Sequence, residues 1–292
     1  MIRTNRFGSL LLLALGLLGN LGPSLAGRHP NYFCDLPCKN VLGSYFMNTA
    51  CQRQNVMCQG GQKCGEEFKV VALNDTDRQY MLDIHNYLRN KVAMGRETRG
   101  SQPTAANMNA LSYNKELEFM AQCWINECHK ESILVHDKCR RTAEFSWVGQ
   151  NLAYVGSTDP SQLDKLSMIK KMILGWYDEV AEFSSSWVNK HEERDAMIGH
   201  YTQLVWADTK EIGCAMSYFA HHDGTYKWYN LKLACNYGPG GNYLGQPVYK
   251  IGKTGSKCAG KKTNKRFPGL CGVDVPINRT KNYYNEFFKY YI

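Results

Sequence analysis

Hydrophobic positions along the chain fall into three helical patterns and one alternating pattern. Asn74-Asp75-Thr76-Asp77 offers helix-capping side chains, and Tyr80, Ile84, Tyr87, Leu88 and Val92 then recur at helical spacing. A second helix fits Asn114 to Cys128, with Leu117, Met120, Ala121 and Trp124 on one face. A third fits Pro160 to Phe183, where Leu163, Leu166, Ile169, Ile173, Trp176, Tyr177 and Val180 return every three or four residues. The period then changes, because Tyr229, Leu231, Leu233 and Cys235 alternate with polar or small residues and predict a strand. Its antiparallel partner lies around Ile212–Phe219, and Asp223-Gly224-Thr225-Tyr226 between them has glycine at the first central position of a II′ turn. In that register Cys214 faces Cys235, so a cross-strand disulfide would close the hairpin. Residues 96–109 contain Gly, Pro, Ser and Asn and read as a loop. Helices, a small antiparallel sheet and long loops make an α+β domain.

The N-terminus predicts the compartment. Arg3 and Arg6 precede the apolar run Leu10–Leu18, and Ser24-Leu25-Ala26 supplies small residues at a cleavage site. Residues 1–26 therefore have the layout of a secretory signal peptide, with an apolar run too short to span a bilayer. No later stretch reaches the apolar length of a transmembrane segment. The 12 cysteines fit that route, since no CxxC pair points to zinc or thioredoxin-like chemistry and disulfides persist in oxidising compartments. Asn74 and Asn278 head Asn-x-Thr sequons that can be glycosylated on the same route.

Charge is unevenly placed. The 292-residue chain carries 35 Lys+Arg against 26 Asp+Glu, for a net +9, of which two arginines leave with residues 1–26. Residues 250–292 hold ten Lys/Arg and only two acids, Asp274 and Glu286. The remainder of the mature chain is nearly neutral. The expected organisation is a signal peptide (1–26), a cysteine-rich arm (27–73), the α+β domain (74–249) and a basic, aromatic extension (250–292). The arm is too short and polar to bury a core, so cross-links must hold it. The extension interleaves its basic residues with Phe267, Tyr283, Tyr284, Phe287, Phe288, Tyr290 and Tyr291, a composition that suits an acidic polysaccharide or another anionic surface. Nucleic acid is an improbable partner for a secreted chain.

Catalytic signatures are scarce. No Gly-x-Ser-x-Gly elbow is present, and His191-Glu192-Glu193-Arg194-Asp195 lacks the second histidine of a zincin. Gly238-Pro239-Gly240-Gly241 follows a strand and reads as a turn rather than a phosphate loop. The even cysteine count gives no reason to expect a free thiol. The remaining candidates are His85, His136, His200, the pair His221-His222, and Glu179 at the edge of the third helix. Each taken singly reads more readily as a structural or surface residue than as a ligand.

Several motifs carry the reading further. Gly199-His200-Tyr201-Thr202-Gln203-Leu204-Val205-Trp206 and Cys235-Asn236-Tyr237-Gly238-Pro239-Gly240-Gly241-Asn242-Tyr243 resemble the two signatures of the CAP superfamily, which unites cysteine-rich secretory, antigen 5 and pathogenesis-related proteins. His85-Asn86-x-x-Arg89, Gly149-Gln150-Asn151 and Trp176-Tyr177-Asp178-Glu179 match further blocks in order, over about residues 64–249. Asn31-Tyr32-x-Cys34-x-x-x-Cys38 and Glu97-Thr98-Arg99-Gly100 are similar to insect antigen 5, and the tail with Cys258 and Cys271 resembles fly antigen-5-related proteins.

The resemblance implies an α-β-α sandwich with a small central antiparallel sheet. It implies disulfides Cys34–Cys51, Cys38–Cys139, Cys64–Cys128 and Cys214–Cys235. Cys258 and Cys271 are then paired by proximity, and Cys58 is left for Cys123. It also implies a cleft bearing a His-Glu-Glu-His tetrad whose histidines bind zinc in some members. Here the tetrad positions are His136, Gln150, Glu179 and His200. The amide of Gln150 replaces a carboxylate and cannot act as a general base, as in other antigen 5 proteins. The expected function is therefore a secreted, non-enzymatic protein that binds a small ligand, a lipid or a partner protein, and no cofactor is required. A sterol or fatty-acid carrier is a narrower form of that reading. The alternative is a divalent-metal-dependent hydrolase using His136, His200 and Glu179, with zinc or another divalent cation held by the two histidines.

Overall fold

The structure is a computed structural model that describes residues 32–277, except 41, 54–57, 66, 129–134, 262 and 276. The signal-peptide segment, the Asn278 sequon and the distal aromatic residues lie outside the described residues. In chain order the arm contributes β1 (Cys38–Lys39), β2 (Tyr45–Phe46), α1 (Thr49–Gln52) and β3 (Lys69–Val70). There follow α2 (Asp75–Ala93), β4 (Ser112–Tyr113), α3 (Lys115–Ile125), β5 (Gly149–Ser157), α4 (Lys165–Asp178), α5 (Gly199–Leu204), β6 (Glu211–His222) and β7 (Lys227–Gly238).

The central sheet runs β3-β6-β7-β5, with β4 added in parallel at the start of β6 and all other pairings antiparallel. The predicted hairpin is its spine: Cys214 pairs with Cys235, and the register runs on to His222 and Lys227 around a turn in which Gly224 takes φ +101°. Asp223 secures that turn by accepting from the Thr225 and Tyr226 N–H groups and from the Trp228 indole. β5 was not expected from the sequence. Its residues GQNLAYVGS lack period-2 alternation, and its identity as a strand comes from nine consecutive pairings with β7.

Strand alternation sorts the core into two unequal faces. Ile212, Cys214, Met216, Leu231, Leu233, Cys235 and Tyr237 point into the main core with α2, α4 and α5. On the other face Ala215, Ala234 and Leu152 meet Ala121 and Ile125 of α3. Small residues let α3 sit close. At Gly213 any β-carbon would run into the backbone of Asn114, Leu117 and Glu118. Helix, sheet and helix thus stack in three layers, the α+β sandwich that the motifs imply.

The helices begin where their caps dictate. Asn74 and Asp77 form a reciprocal capping box on α2, and Asn114 accepts from the N–H groups of Glu116 and Leu117 to start α3. The buried stripe of α2 differs from the expected one. Met81, Leu82, His85, Leu88, Arg89 and Val92 face inward, whereas Tyr87 is exposed. Leu88 and Val92 are in the core and Tyr80 and Ile84 pack against it, so of the expected run only Tyr87 faces out, while the polar, hydrogen-bonded His85 and Arg89 complete the inward stripe. The expected helix from Pro160 to Phe183 is in fact three pieces. Pro160–Gln162 is a 3-10 turn, Asp164 caps a fresh start at Lys165, and Glu179–Glu182 returns to 3-10 geometry.

Six disulfides join Cys34–Cys51, Cys38–Cys139, Cys58–Cys123, Cys64–Cys128, Cys214–Cys235 and Cys258–Cys271. Four of them bind the arm within itself or to α3 and its flanks. The C-terminal segment also packs on the body. Lys250, Gly252, Gly255 and Lys257 exchange backbone hydrogen bonds with residues 104–106, and Phe267, Leu270 and Ile277 enter the main core.

Arg89 of α2 has no carboxylate partner among the described residues. Its fully buried guanidinium donates to the carbonyls of Asn109 (2.7 and 3.0 Å), Leu204 (2.8 Å) and Trp206 (2.8 Å), with longer contacts to Ala207 and Thr209. Burial lowers its pKa to about 9, which leaves it a cation at neutral pH. Replacing it with methionine orphans several buried carbonyls at about 1–3 kcal/mol each. Arg89→Met should therefore lower stability by about 3 kcal/mol or more. A thermal or denaturant midpoint that falls by less than about 1 kcal/mol equivalent would contradict this role.

Candidate functional site

Helix α5 begins at Gly199, and the residue before it, Ile198, has no side chain with which to cap. The carboxylate of Glu179 does the capping from outside. Its Oε2 accepts from the N–H groups of His200 (2.8 Å) and Tyr201 (3.0 Å), while Oε1 accepts from His200 Nδ1 at 2.6 Å. The switch to 3-10 geometry at Glu179 thus has a structural purpose, since it ends α4 with the carboxylate aimed at the start of α5. One side chain fixes both the helix and the imidazole. His200 also stacks on Trp176, with ring centroids 6.2 Å apart and planes 23° from parallel. With Nδ1 engaged, His200 presents Nε2 to the cleft.

His136 is held in the same way by a different chemistry. Asn236 of β7 donates its amide to Leu117 O (3.1 Å), which leaves its Oδ1 to accept from Gln150 Nε2 at 3.0 Å. Gln150 Oε1 must then face His136 Nδ1, at 2.9 Å. The donor order fixes the tautomer: His136 carries its proton on Nδ1 and keeps the Nε2 lone pair. His136 sits at the rim, open to solvent on its outer edge, yet the surrounding protein atoms desolvate the ring and lower its pKa below the ordinary value. A carboxylate at position 150 would lack the N–H that Gln150 donates to the Asn236 oxygen.

Behind the cleft a buried chain of hydrogen bonds supports His200. Asn151 donates to His200 O (3.0 Å) and to the Tyr237 hydroxyl (3.2 Å). Tyr237 donates to His85 Nε2 (2.9 Å), and His85 Nδ1 donates to Met81 O (2.8 Å). Complete burial holds the His85 pKa down to about 4. His85 is therefore a neutral core residue behind the cleft, not part of its surface. His221 binds Asn230 at the far end of the adjoining groove, and His222 is exposed at the end of β6. Of the candidate histidines, only His136 and His200 share the cleft. Asn151, Asn236 and Tyr237 carry the supporting roles, and their places within the motifs are the sole sequence signal for them.

Two cavities adjoin here. A polar pocket of about 230 Å³ is lined by His136, Gln150, Asn151, Glu179, Gly199, His200, Met197 and Asn242. It shares Glu179, Met197 and His200 with a groove of about 810 Å³ between α4 and β5. Leu152, Val155, Met172, Gly175 and Trp176 line that groove, and Lys171 stands on its wall. Among the described residues no three His, Cys, Asp or Glu side chains converge on a metal position. The donor set facing the pocket is two imidazole Nε2 atoms, a chemistry that fits a divalent cation with water completing its coordination. Glu179 serves as the partner of His200 Nδ1 rather than as a third ligand.

Two outcomes test this arrangement. Gln150→Glu places a carboxylate against His136, so the His136 pKa measured by NMR should rise from below the ordinary imidazole value to above it. An unchanged titration would separate the two side chains. For His85, the unfolded chain binds a proton near pH 6.5 but the folded chain only near pH 4. Its contribution to stability is thus complete above pH 6.5 and is lost as the pH falls to about 4, for a total of roughly 3 kcal/mol. Melting curves between these limits should show the loss, and His85→Gln should flatten it; an unaltered slope in the variant would assign the loss elsewhere.

Residues 82–237 match the CAP, cysteine-rich secretory protein, family. The chain is 40% identical over 224 residues to venom allergen 5 of Polybia scutellaris rioplatensis, covering 75% of this chain and 99% of the relative. It is 39% identical over 229 residues to venom allergen 3 of Solenopsis invicta, covering 73% and 92%. Among solved structures, the crystal structure of NaASP2 with Zn2+ superposes with a TM-score of 0.51 at 28% identity, covering 67% of this chain and 94% of that one. BmVAL-1 shares the fold with a TM-score of 0.52 at 23% identity, covering 70% and 96%. With a family match across the sandwich and antigen 5 relatives aligned over nearly their whole length, this chain belongs to the CAP superfamily and is antigen 5-like.

Proposed function

We propose that this protein is secreted and acts as a non-enzymatic binder, whose cleft takes a small amphipathic ligand. The observation that carries the reading is the junction of the two cavities. An elongated apolar body fits the α4–β5 groove, and a polar end reaches the pocket of His136 and His200 through the shared Glu179, Met197 and His200. The pocket lining supports binding over turnover. It includes no Ser, Thr or Cys nucleophile, and every cysteine is in a disulfide. The carboxylate of Glu179 is committed to capping α5 and orienting His200, and position 150 supplies an amide. The N-terminal signal layout and the disulfides support secretion.

A metal-dependent hydrolase is the second reading, favoured by the two Nε2 atoms that face one pocket. The fold relative NaASP2 was crystallised with Zn2+. Here His136 and His200 would hold the ion, and Gln150 and Glu179 would orient them. A bound cation would supply Lewis acidity to a water molecule.

Gly175 separates these readings. A β-carbon added there meets no atom within 4 Å, so a larger residue enters the groove without disturbing the core. Gly175→Trp should weaken binding of 11-(dansylamino)undecanoic acid at least about tenfold, while the melting temperature holds or rises because glycine is a poor helix former. Wild-type protein that shows no saturable binding at micromolar probe would sink the ligand reading. Zinc-dependent peptide or ester turnover that disappears in His136→Ala/His200→Ala would establish the hydrolase instead.

A further inference from the structure

The described residues that follow Tyr249, up to Ile277, are packed on the body. They make two passes, one against residues 104–106 and the end of α2, the other along α2 from Asp83 to Asn90. In the first, Lys250 O accepts from Ala106 N, Gly252 N donates to Thr104 O, and the N–H groups of Gly255 and Lys257 donate to Ala105 O and Ala106 O. The Thr254 hydroxyl closes this pass onto Ala93 O, the last residue of α2. In the second, Arg266 binds Asp83 through two hydrogen bonds of 2.6 and 2.7 Å, and Gly269 N donates to Asn90 Oδ1. The Cys258–Cys271 disulfide ties the passes together, and Phe267 and Leu270 anchor them in the core.

This well-anchored segment is strongly cationic. Residues 250–273 contain seven Lys/Arg and no Asp or Glu. Lys250, Lys253, Lys257 and Lys265 are exposed, and among the described residues none of them belongs to an ion pair. Elsewhere on the chain Lys91, Lys165, Lys190, Arg78 and Arg99 are matched to carboxylates. Arg96, exposed just beyond α2, adds to the same region, because Gly95 beside it packs on Thr104, the residue that binds Gly252. The body to which the segment is bound is nearly neutral, so the positive potential is local.

We propose that this strip is a binding surface for a sulfated polysaccharide. The argument rests on charge and on what separates the charges. The backbone is fixed in advance by disulfide, core and hydrogen bonds, so a polyanion binding there need not order it. Apart from Ile251, the residues between Lys250 and Lys257 are Gly252, Thr254, Gly255 and Ser256, small side chains that leave room for a sulfated chain to lie close to several ammonium groups. A membrane would require an apolar cluster to insert, yet among the described residues of 250–273 the large exposed hydrophobics are two, Ile251 and Val273, at opposite ends of the segment. The surface is separate from the His136–His200 cleft and does not depend on what occupies it.

Heparin serves as the probe, with full-length secreted protein, because removing the segment would also remove Phe267 and Leu270 from the core. The strip variant is Lys250→Gln/Lys253→Gln/Lys257→Gln/Lys265→Gln. A charge-matched control is Lys63→Gln/Lys138→Gln/Lys170→Gln/Lys210→Gln, exposed positions elsewhere on the body. Melting temperatures close to wild type establish that both variants are folded. The strip variant should bind heparin about tenfold or more weakly at 0.15 M salt, with a shallower dependence on salt, while the control changes less than about twofold. Equal losses in both variants would reduce the effect to net charge and overturn the proposal. So would a larger loss from Arg279→Gln/Lys281→Gln/Lys289→Gln, which places binding further along the tail. Wild-type protein that passes through heparin unretained also overturns it, including the case in which that protein sediments with phosphatidylserine vesicles.

Discussion

The position of nearly everything functional traces back to one buried cation. Arg89 satisfies carbonyls from two segments distant in sequence, one at Asn109 and one at residues 204–209. The second segment is the exit of α5, so the helix that carries His200 is tied to α2 at its C-terminal end. The first segment is the one against which the C-terminal chain lies, since Ala110 N and Cys271 O, and Cys271 N and Met108 O, are bonded across it. Fully buried charges are tolerated when hydrogen bonding replaces water. Here the carbonyl cage does so with no carboxylate bonded to the guanidinium among the described residues, which is why a guanidinium, with donors in a fixed fork, suits the position and an ammonium would not.

The other end of α5 depends on a second long-range device. A short helix that starts after isoleucine has unsatisfied N–H groups, and Glu179 satisfies two of them from another helix. Because the same carboxylate receives the His200 Nδ1 proton, helix capping and imidazole orientation are one interaction. His136 reaches the equivalent state through neutral groups, Asn236 to Gln150 to the ring. The two histidines thus present like atoms to the cleft from unlike supports: one backed by a full negative charge, the other by an amide. Of the two rings, His136 has the neutral support, and desolvation by the surrounding protein lowers its pKa.

Sandwich, cleft and strip also divide the surface by chemistry. The α4–β5 groove is apolar because β5 turns Ala153 and Val155 toward α4 while Gly175 keeps the helix face open. The polar pocket sits where β5, the end of α4 and the start of α5 converge. The cationic strip lies on α2, supported by the extension's own disulfide and by contacts to residues 104–110.

Much of this architecture is legible in the residues themselves. Alternation of Leu231, Leu233 and Cys235, glycine at 224 and cysteines in register determine the β6–β7 hairpin locally, because strand period and turn geometry are short-range properties. Caps at Asn74 and Asn114 likewise announce α2 and α3. The motif spacing marks His136, Gln150, Glu179 and His200 as positions of interest. Their roles come only from tertiary structure. Helical periodicity runs unbroken through Pro160–Phe183, yet the helix ends at Asp178 so that Glu179 can cap a helix twenty residues on. β5 exists because β7 offers it nine partners. Arg89 is only a motif position until five carbonyls surround it, and Gln150 reads as a lost acid until its amide is seen to donate to Asn236. Local patterns specify which elements form; long-range hydrogen-bond satisfaction decides what their polar residues do, because a buried donor or acceptor is defined by partners that sequence neighbours do not supply.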